Sequence, residues 1–270
     1  MLTFKLNNEP TNIQQTIYTT EKTRQPQAET NKKMKKAIII GGTSGIGEGL
    51  ATVLLSNNYI VGLTGIEKNM LEDLQNSGQK NLEVKYLNCL TDNTSEKITE
   101  LVETLGGLDL LILSAGIGNL NKNLGFEVEN NANKLNVLAF TEIADWTYRY
   151  FEKQGHGHFV AITSISGLFG SRIAPAYHAA KSYQINYLEG LRQRARKTGK
   201  LIYVTDIRPG FVDTTMTKGK KMVWAATKDK TAKQIFELIK KKRGYGYVTN
   251  RWRIVAVIIK ILPAWILNRL

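Results

Sequence analysis

The chain has 270 residues, 42% of them apolar, enough to bury one full-sized core. It has one cysteine, Cys89, which excludes an internal disulfide, and only three histidines with no ligand-pair spacing, so no metal site is expected. The net charge of +14 is uneven: residues 218–270 carry 14 basic against 2 acidic residues, which points to an anionic partner, whether nucleic acid, anionic lipid or a phosphorylated substrate.

Residues 1–33 are polar and aperiodic, lack the apolar run of a secretory signal, and are expected to be a disordered extension. From there the chain alternates. Strands are predicted at 37–40, 59–64, 82–87, 108–113, 158–163, 201–207 and 245–249. Helices are predicted at 48–55, from 70 to 75, at 95–105, 131–151, 176–198 and 231–241. His156 and His158 are read as residues of the loop leading into their strand, and Cys89 as a small core residue. Strands such as Leu108–Leu113 are apolar almost throughout, as parallel strands covered on both faces are. Strand–helix alternation of this kind gives an α/β fold, a doubly wound parallel sheet of about seven strands in one domain, 34–250.

The last segment, 251–270, is different. Arg251-Trp252-Arg253 leads into six apolar residues, Lys260 interrupts, and Pro263 breaks the run that follows. A span needs roughly 20 uninterrupted apolar residues. The segment is therefore expected either to lie on an anionic membrane surface or to roof the domain's own cleft, and the two are compatible.

Two local patterns carry chemistry. The first is the glycine cluster Gly41-Gly42-Thr43-Ser44-Gly45-Ile46-Gly47, directly after the first strand, where a turn opening a helix can receive a dinucleotide pyrophosphate. The second is Tyr177 and Lys181, four apart and so on one helical face, thirteen residues after Ser164. A free phenol titrates near ~10; a neighbouring ammonium is expected to lower that value and make Tyr177 a usable acid and base. Tyr18 and Lys22 share the spacing without the glycine turn, so order along the chain gives the second pair its weight. Together the patterns suggest hydride transfer to a carbonyl or from an alcohol.

From 34 to 250 the chain resembles the short-chain dehydrogenases/reductases of the smaller type. Ile40-Gly41-Gly42-Thr43-Ser44-Gly45-Ile46-Gly47 is similar to the family's cofactor turn, with Ile40 in place of a threonine. Leu113-Ser114-Ala115-Gly116 resembles its Asn-Asn-Ala-Gly segment, and Asn88 falls where an adenine contact is common. The resemblance implies a Rossmann-like fold and a catalytic set of Asn136, Ser164, Tyr177 and Lys181, with Asn136 behind the lysine in a water relay. It also implies that Arg208-Pro209-Gly210-Phe211-Val212-Asp213-Thr214 holds the nicotinamide, through Pro209, Gly210, the Val212 backbone and the Thr214 hydroxyl.

The cofactor is expected to be NADP(H) rather than NAD(H), because Gly65 stands where an acid would bind the ribose diol. Thr43, Ser44 or Lys68 could take a 2′-phosphate, whereas Glu67 would oppose one. The loop from Thr215 to Thr227, with Met216, Met222, Val223 and Trp224 among lysines, is expected to cover the cleft and suits a hydrophobic or lipid-linked carbonyl substrate. No nucleic-acid-binding motif accompanies the basic tail. The family commonly forms dimers or tetramers through its two long helices, which implies a homo-oligomer. A cytoplasmic location at the inner face of a membrane fits these readings. The competing reading is a non-catalytic Rossmann-fold binding or membrane-interaction protein.

Overall fold

Apolar runs form the predicted strands, and side-chain alternation sorts each into two layers. In the computed structural model, which describes residues 33–213 and 224–267, the strands are β1 (Lys35–Ile40), β2 (Tyr59–Gly65), β3 (Leu82–Tyr86), β4 (Leu110–Leu113), β5 (His156–Ile162), β6 (Leu201–Pro209) and β7 (Tyr245–Val248). They make one seven-stranded sheet in the order β3-β2-β1-β4-β5-β6-β7, parallel throughout. The helices are α1 (Gly45–Leu55), α2 (Lys68–Asn76), α3 (Thr94–Leu105), α4 (Phe126–Asn133), α5 (Phe140–Gln154), α6 (Pro175–Thr198), α7 (Lys228–Lys240), α8 (Trp252–Ile261) and the short α9 (Ala264–Leu267). The described residues from Met34 onward form one compact unit.

Along β1, Ile38 and Ile40 face one way and Ala37 and Ile39 the other, as strand periodicity requires. The first pair joins Leu111 and Leu113 of β4 against α3, α5 and α6 through Ile98, Leu101, Phe151 and Leu188. The second joins Leu110 and Ile112 against α1 and α7 through Leu50, Leu54, Ile235 and Phe236. The order reverses beside β1, so the ends of β1 and β4 open the crevice where ligands of such sheets bind.

Two expectations are corrected. His156 lies on β5, not in a loop, ahead of His158, the first residue of the predicted strand; β5 is an interior strand, and its pairing with β6 already begins at His156. His158 is buried, shares a hydrogen bond of 2.7 Å with Thr205 Oγ1, and burial pushes it down to about 3, so it is neutral. The long helix predicted over 131–151 runs from Phe126 to Gln154 and contains a π-helical stretch, Lys134–Ala139, between α4 and α5. The tail forms α8, which ends before Pro263. Among the described residues no helix is long and apolar enough to cross a membrane.

Phe151 is fully buried and packs so closely on Gly157 that a Cβ there would overlap its ring. Phe151→Ala is expected to destabilise the domain by about 3–5 kcal/mol. A urea titration reads this as a lowered midpoint.

Candidate functional site

A cavity of about 870 Å³ opens across the carboxyl ends of the central strands. Gly41, Thr43, Ser44, Gly45 and Ile46 line one end, with Asn88 beside them; Ser114, Ala115 and Gly116 form the middle, and Ser164, Tyr177 and Lys181 stand on one wall. Pro209, Gly210 and Val212 line it as well. Gly47 does not line the cavity; it lets α1 approach the turn, because a Cβ there would overlap the Gly41 carbonyl. Thr214, Met216, Met222 and Val223 lie outside the described residues.

The turn is shaped by close approach. Gly41 has φ +79°, and a Cβ on it would sit 2.6 Å from Ala115 N. Ser44 is the N-cap of α1 but its side chain does not cap the helix. The helix therefore presents N–H groups and the positive end of its dipole to the cavity, which suits a pyrophosphate. At the other side, the buried Trp252 Nε1–H has no hydrogen-bond partner, and Trp252 lines the same cavity. These features fit a nicotinamide dinucleotide. Asn88 is less free, because its Oδ1 accepts from Leu90 N at 3.0 Å.

Lys181 is buried, and its ammonium donates to Ile162 O at 3.1 Å and Gln184 Oε1 at 2.9 Å. Gln184 Nε2 donates to Asn136 O at 2.8 Å. Asn136, in the π-helical stretch, is fully buried: its Nδ2 donates to Ile117 O at 2.7 Å and its Oδ1 accepts from Ile117 N at 3.1 Å. Asn136 thus stands behind the lysine and ties it to the β4 loop. Gln184 was not anticipated; its signal was its place three residues after Lys181 on the same helical face.

Tyr177 is positioned from its helix end. Ala176 N donates to Glu129 Oε2 at 2.9 Å, and Asn121 Nδ2 donates to Glu129 Oε1 at 2.5 Å. This carboxylate anchors the first turn of α6, and nothing local in the sequence marks it. Ser164 Oγ accepts from Ser166 N at 3.0 Å and hydrogen-bonds Tyr177.

The electrostatics correct one expectation. Burial raises the Tyr177 phenol above its ordinary value, and the Ser164 hydrogen bond pulls only partly the other way. Lys181 Nζ lies 5.8 Å from the centre of the ring, and its own charge is the disfavoured one: burial pushes it down to about 8, against the attraction of Asp206. Tyr177 therefore holds its proton at neutral pH and is set up as an acid. Asp206 is itself fully buried, accepts from Thr163 Oγ1 at 2.6 Å and pairs with Arg208 at 2.7 Å. Cys89 lines the cavity, but burial pushes its thiol up to about 11. Among the described residues no group of three or more His, Cys, Asp or Glu could hold a metal.

A family model described as short chain dehydrogenase matches residues 35–223. The chain is 33% identical over 191 residues to an uncharacterized oxidoreductase of Staphylococcus aureus (strain USA300), which covers 68% of this chain and 80% of that one. An uncharacterized oxidoreductase of Staphylococcus epidermidis (strain ATCC 12228 / FDA PCI 1200) is 28% identical over 192 residues, 69% of this chain and 82% of that one. Among solved structures, ElxO with NADP bound superposes with a TM-score of 0.71 at 22% identity, covering 80% of this chain and 97% of that one. A short chain dehydrogenase/reductase from Burkholderia phymatum in complex with NAD gives 0.74 at 17% identity, covering 83% and 92%. At these identities the structural likeness is one of fold.

Because the Lys181 value is depressed from 10.5 to about 8 on folding, the unfolded chain binds the extra proton between those two values. Stability contributed at this position therefore rises as pH climbs through that window and is lowest below it. The stability of the wild type relative to Lys181→Met is expected to increase from pH 7 to pH 10, as read by chemical denaturation at each pH.

Proposed function

The chain belongs to the short-chain dehydrogenases, and from that premise we propose that it is an NAD(P)-dependent reductase of a carbonyl on a hydrophobic, lipid-like substrate. The observation that carries this reading is the convergence of Ser164, Tyr177 and Lys181 on the wall of a cavity whose other end is the glycine turn.

Gly41 to Ile46, Ser114 to Gly116, Asn88 and Pro209 to Val212 would hold the cofactor, together with Thr214, which lies outside the described residues. When bound, the reduced nicotinamide supplies the hydride that the carbonyl carbon takes up. Ser164 and Tyr177 hydrogen-bond the carbonyl oxygen and stabilise the negative charge that grows there. Tyr177 delivers its proton to that oxygen, completing the alcohol. The phenolate is then reprotonated from the side of Lys181, whose value near 8 suits proton exchange at neutrality. Asn136 and Gln184 hold the lysine in place during that exchange. The choice between NADP(H), towards which Gly65 leans, and NAD(H) lies at the far end of the cavity.

The substrate class follows from the other end. Leu120, Leu135, Ile165, Phe169, Phe211, Trp252, Val255 and Ile259 line it. His178 is the only titratable side chain among the described residues there besides the catalytic pair, and its Nδ1 shares a 2.8 Å hydrogen bond with Phe169 O. Such a lining favours an uncharged apolar chain. The opposite face of α8 exposes Ile254, Val257, Ile258 and Ile261, with Arg251, Arg253 and Lys260 among them and Trp265 beyond. This stripe, at spacings of three and four, supports an anionic membrane surface as the place where the substrate is met. Exposed Leu138 and Tyr183 on the long-helix face support self-association. The unpaired cysteine supports a cytoplasmic setting, at the inner side of that membrane.

Tyr177→Phe is expected to lower turnover of long-chain carbonyls by about a hundred- to ten-thousand-fold while leaving NAD(P)H fluorescence titrations intact. Full turnover in that variant would remove Tyr177 from the chemistry. The wild type is expected to sediment with anionic vesicles, and Ile254→Asp/Ile258→Asp to remain in the supernatant with its fold unchanged. A wild type that stays in solution would rule out the membrane surface.

A further inference from the structure

The cavity end farthest from Tyr177 holds a carboxylate fastened to the glycine turn. Glu67 is the N-cap residue of α2, yet its side chain makes no cap hydrogen bond. A side-chain oxygen at that position ordinarily accepts from the first N–H groups of its own helix. Glu67 instead accepts a hydrogen bond from the hydroxyl of Thr43, 24 residues earlier. Thr43 is buried, so its one hydroxyl proton is committed to that carboxylate.

The same threonine explains Gly65. Gly65 ends β2, the position from which an acid would reach the ribose diol of a bound dinucleotide. A Cβ on Gly65 would overlap the Thr43 hydroxyl and methyl groups. No side chain fits there unless the turn moves, and Glu67 brings a carboxylate to the same end from two residues farther on. The lean towards NADP(H) counts position 65 alone, and Thr43 is the reason that position is glycine.

Among the described residues, no cation lines the cavity where a phosphate would need one. Lys181 is the only lysine or arginine lining the cavity among the described residues, and it is held at the catalytic wall. Lys68 follows Glu67 directly, but its ammonium lies 5.5 Å above the ring of Tyr86. A 2′-phosphate carries a charge of about −1.5 to −2 at neutral pH. At this end it would meet a fixed carboxylate and, among the described residues, no cation that lines the cavity, whereas a ribose diol would meet an acceptor.

Resting on the reading of the chain as a nicotinamide-dependent reductase, we propose that Glu67, clamped by Thr43, is a specificity-determining residue that makes this protein select NAD(H) over NADP(H).

The test is fluorescence titration of the full chain with NADH and with NADPH at low and high salt. In the wild type NADH is expected to bind about tenfold or more tightly than NADPH at low salt, since like charges brought together weaken only the phosphorylated form. Added salt narrows that ratio, because the repulsion is screened. Glu67→Gln keeps length and acceptor but removes the charge; it is expected to tighten NADPH, bring the ratio within about threefold and abolish its salt dependence. Thr43→Val frees the carboxylate without removing it and narrows the ratio less, which gives a second variant should Glu67→Gln not fold. NADPH binding more tightly than NADH in the wild type, or a ratio unmoved in the folded variants, overturns the proposal and leaves the reductase reading standing. A folded wild type that binds neither overturns both.

Discussion

Taking an ammonium group out of water costs several kcal/mol unless acceptors and counter-charge travel with it. Lys181 meets that demand with groups from four parts of the chain. Ile162 O comes from the end of β5 and Gln184 from the next turn of α6. Gln184 is held in turn by the Asn136 carbonyl in the π-helical stretch. Asp206 on β6 supplies opposite charge from beneath, tied to Thr163 and Arg208. Ser164 follows Thr163 directly and Tyr177 lies one helical turn before Lys181, so the arrangement that makes the lysine tolerable also fixes the groups it serves.

What could be read in advance divides along the range of the interactions. The strands were legible because parallel strands covered on both faces leave unbroken apolar runs, and the alternation with helices marked the sheet as parallel and doubly wound. The glycine turn and the pair Tyr177 and Lys181 were legible because spacing of a few residues fixes them on one turn or one helical face, whereas Ser164, thirteen residues before Tyr177, was marked by the family resemblance. The π-helical stretch was not, since an Asn–Ile–Gln arrangement spanning 19 and 48 residues sustains Asn136 within it. The same holds for Glu129 at the start of α6, 47 residues from the N–H it caps. His156 misled because the glycines on either side of it, Gly155 and Gly157, look like a turn, while the neighbouring strand draws it into the sheet. The raised phenol and depressed ammonium reverse the simple expectation of a cation lowering its neighbour, because burial is the largest influence on each group.

The cavity joins two unlike environments. The turn end offers helix N–H groups, a clamped carboxylate and glycines that admit a backbone-close ligand. The outer end is a lining of aliphatic and aromatic side chains, part of it lent by α8. That helix is apolar on two sides: Trp252 and Ala256 are buried with Ile165, while Ile254, Val257 and Ile258 face outward.

Trp252 also occupies the volume that a side chain on Gly210 would need, since a Cβ there would fall within the indole. The loop that follows β6 and the start of the tail helix are consequently one mechanical piece. A lineage could not enlarge residue 210 while keeping this tail, nor shed the tail without leaving a slot above the loop that water or another side chain must fill. Divergence in one is bound to divergence in the other, so swapping tails between relatives would carry this loop with it.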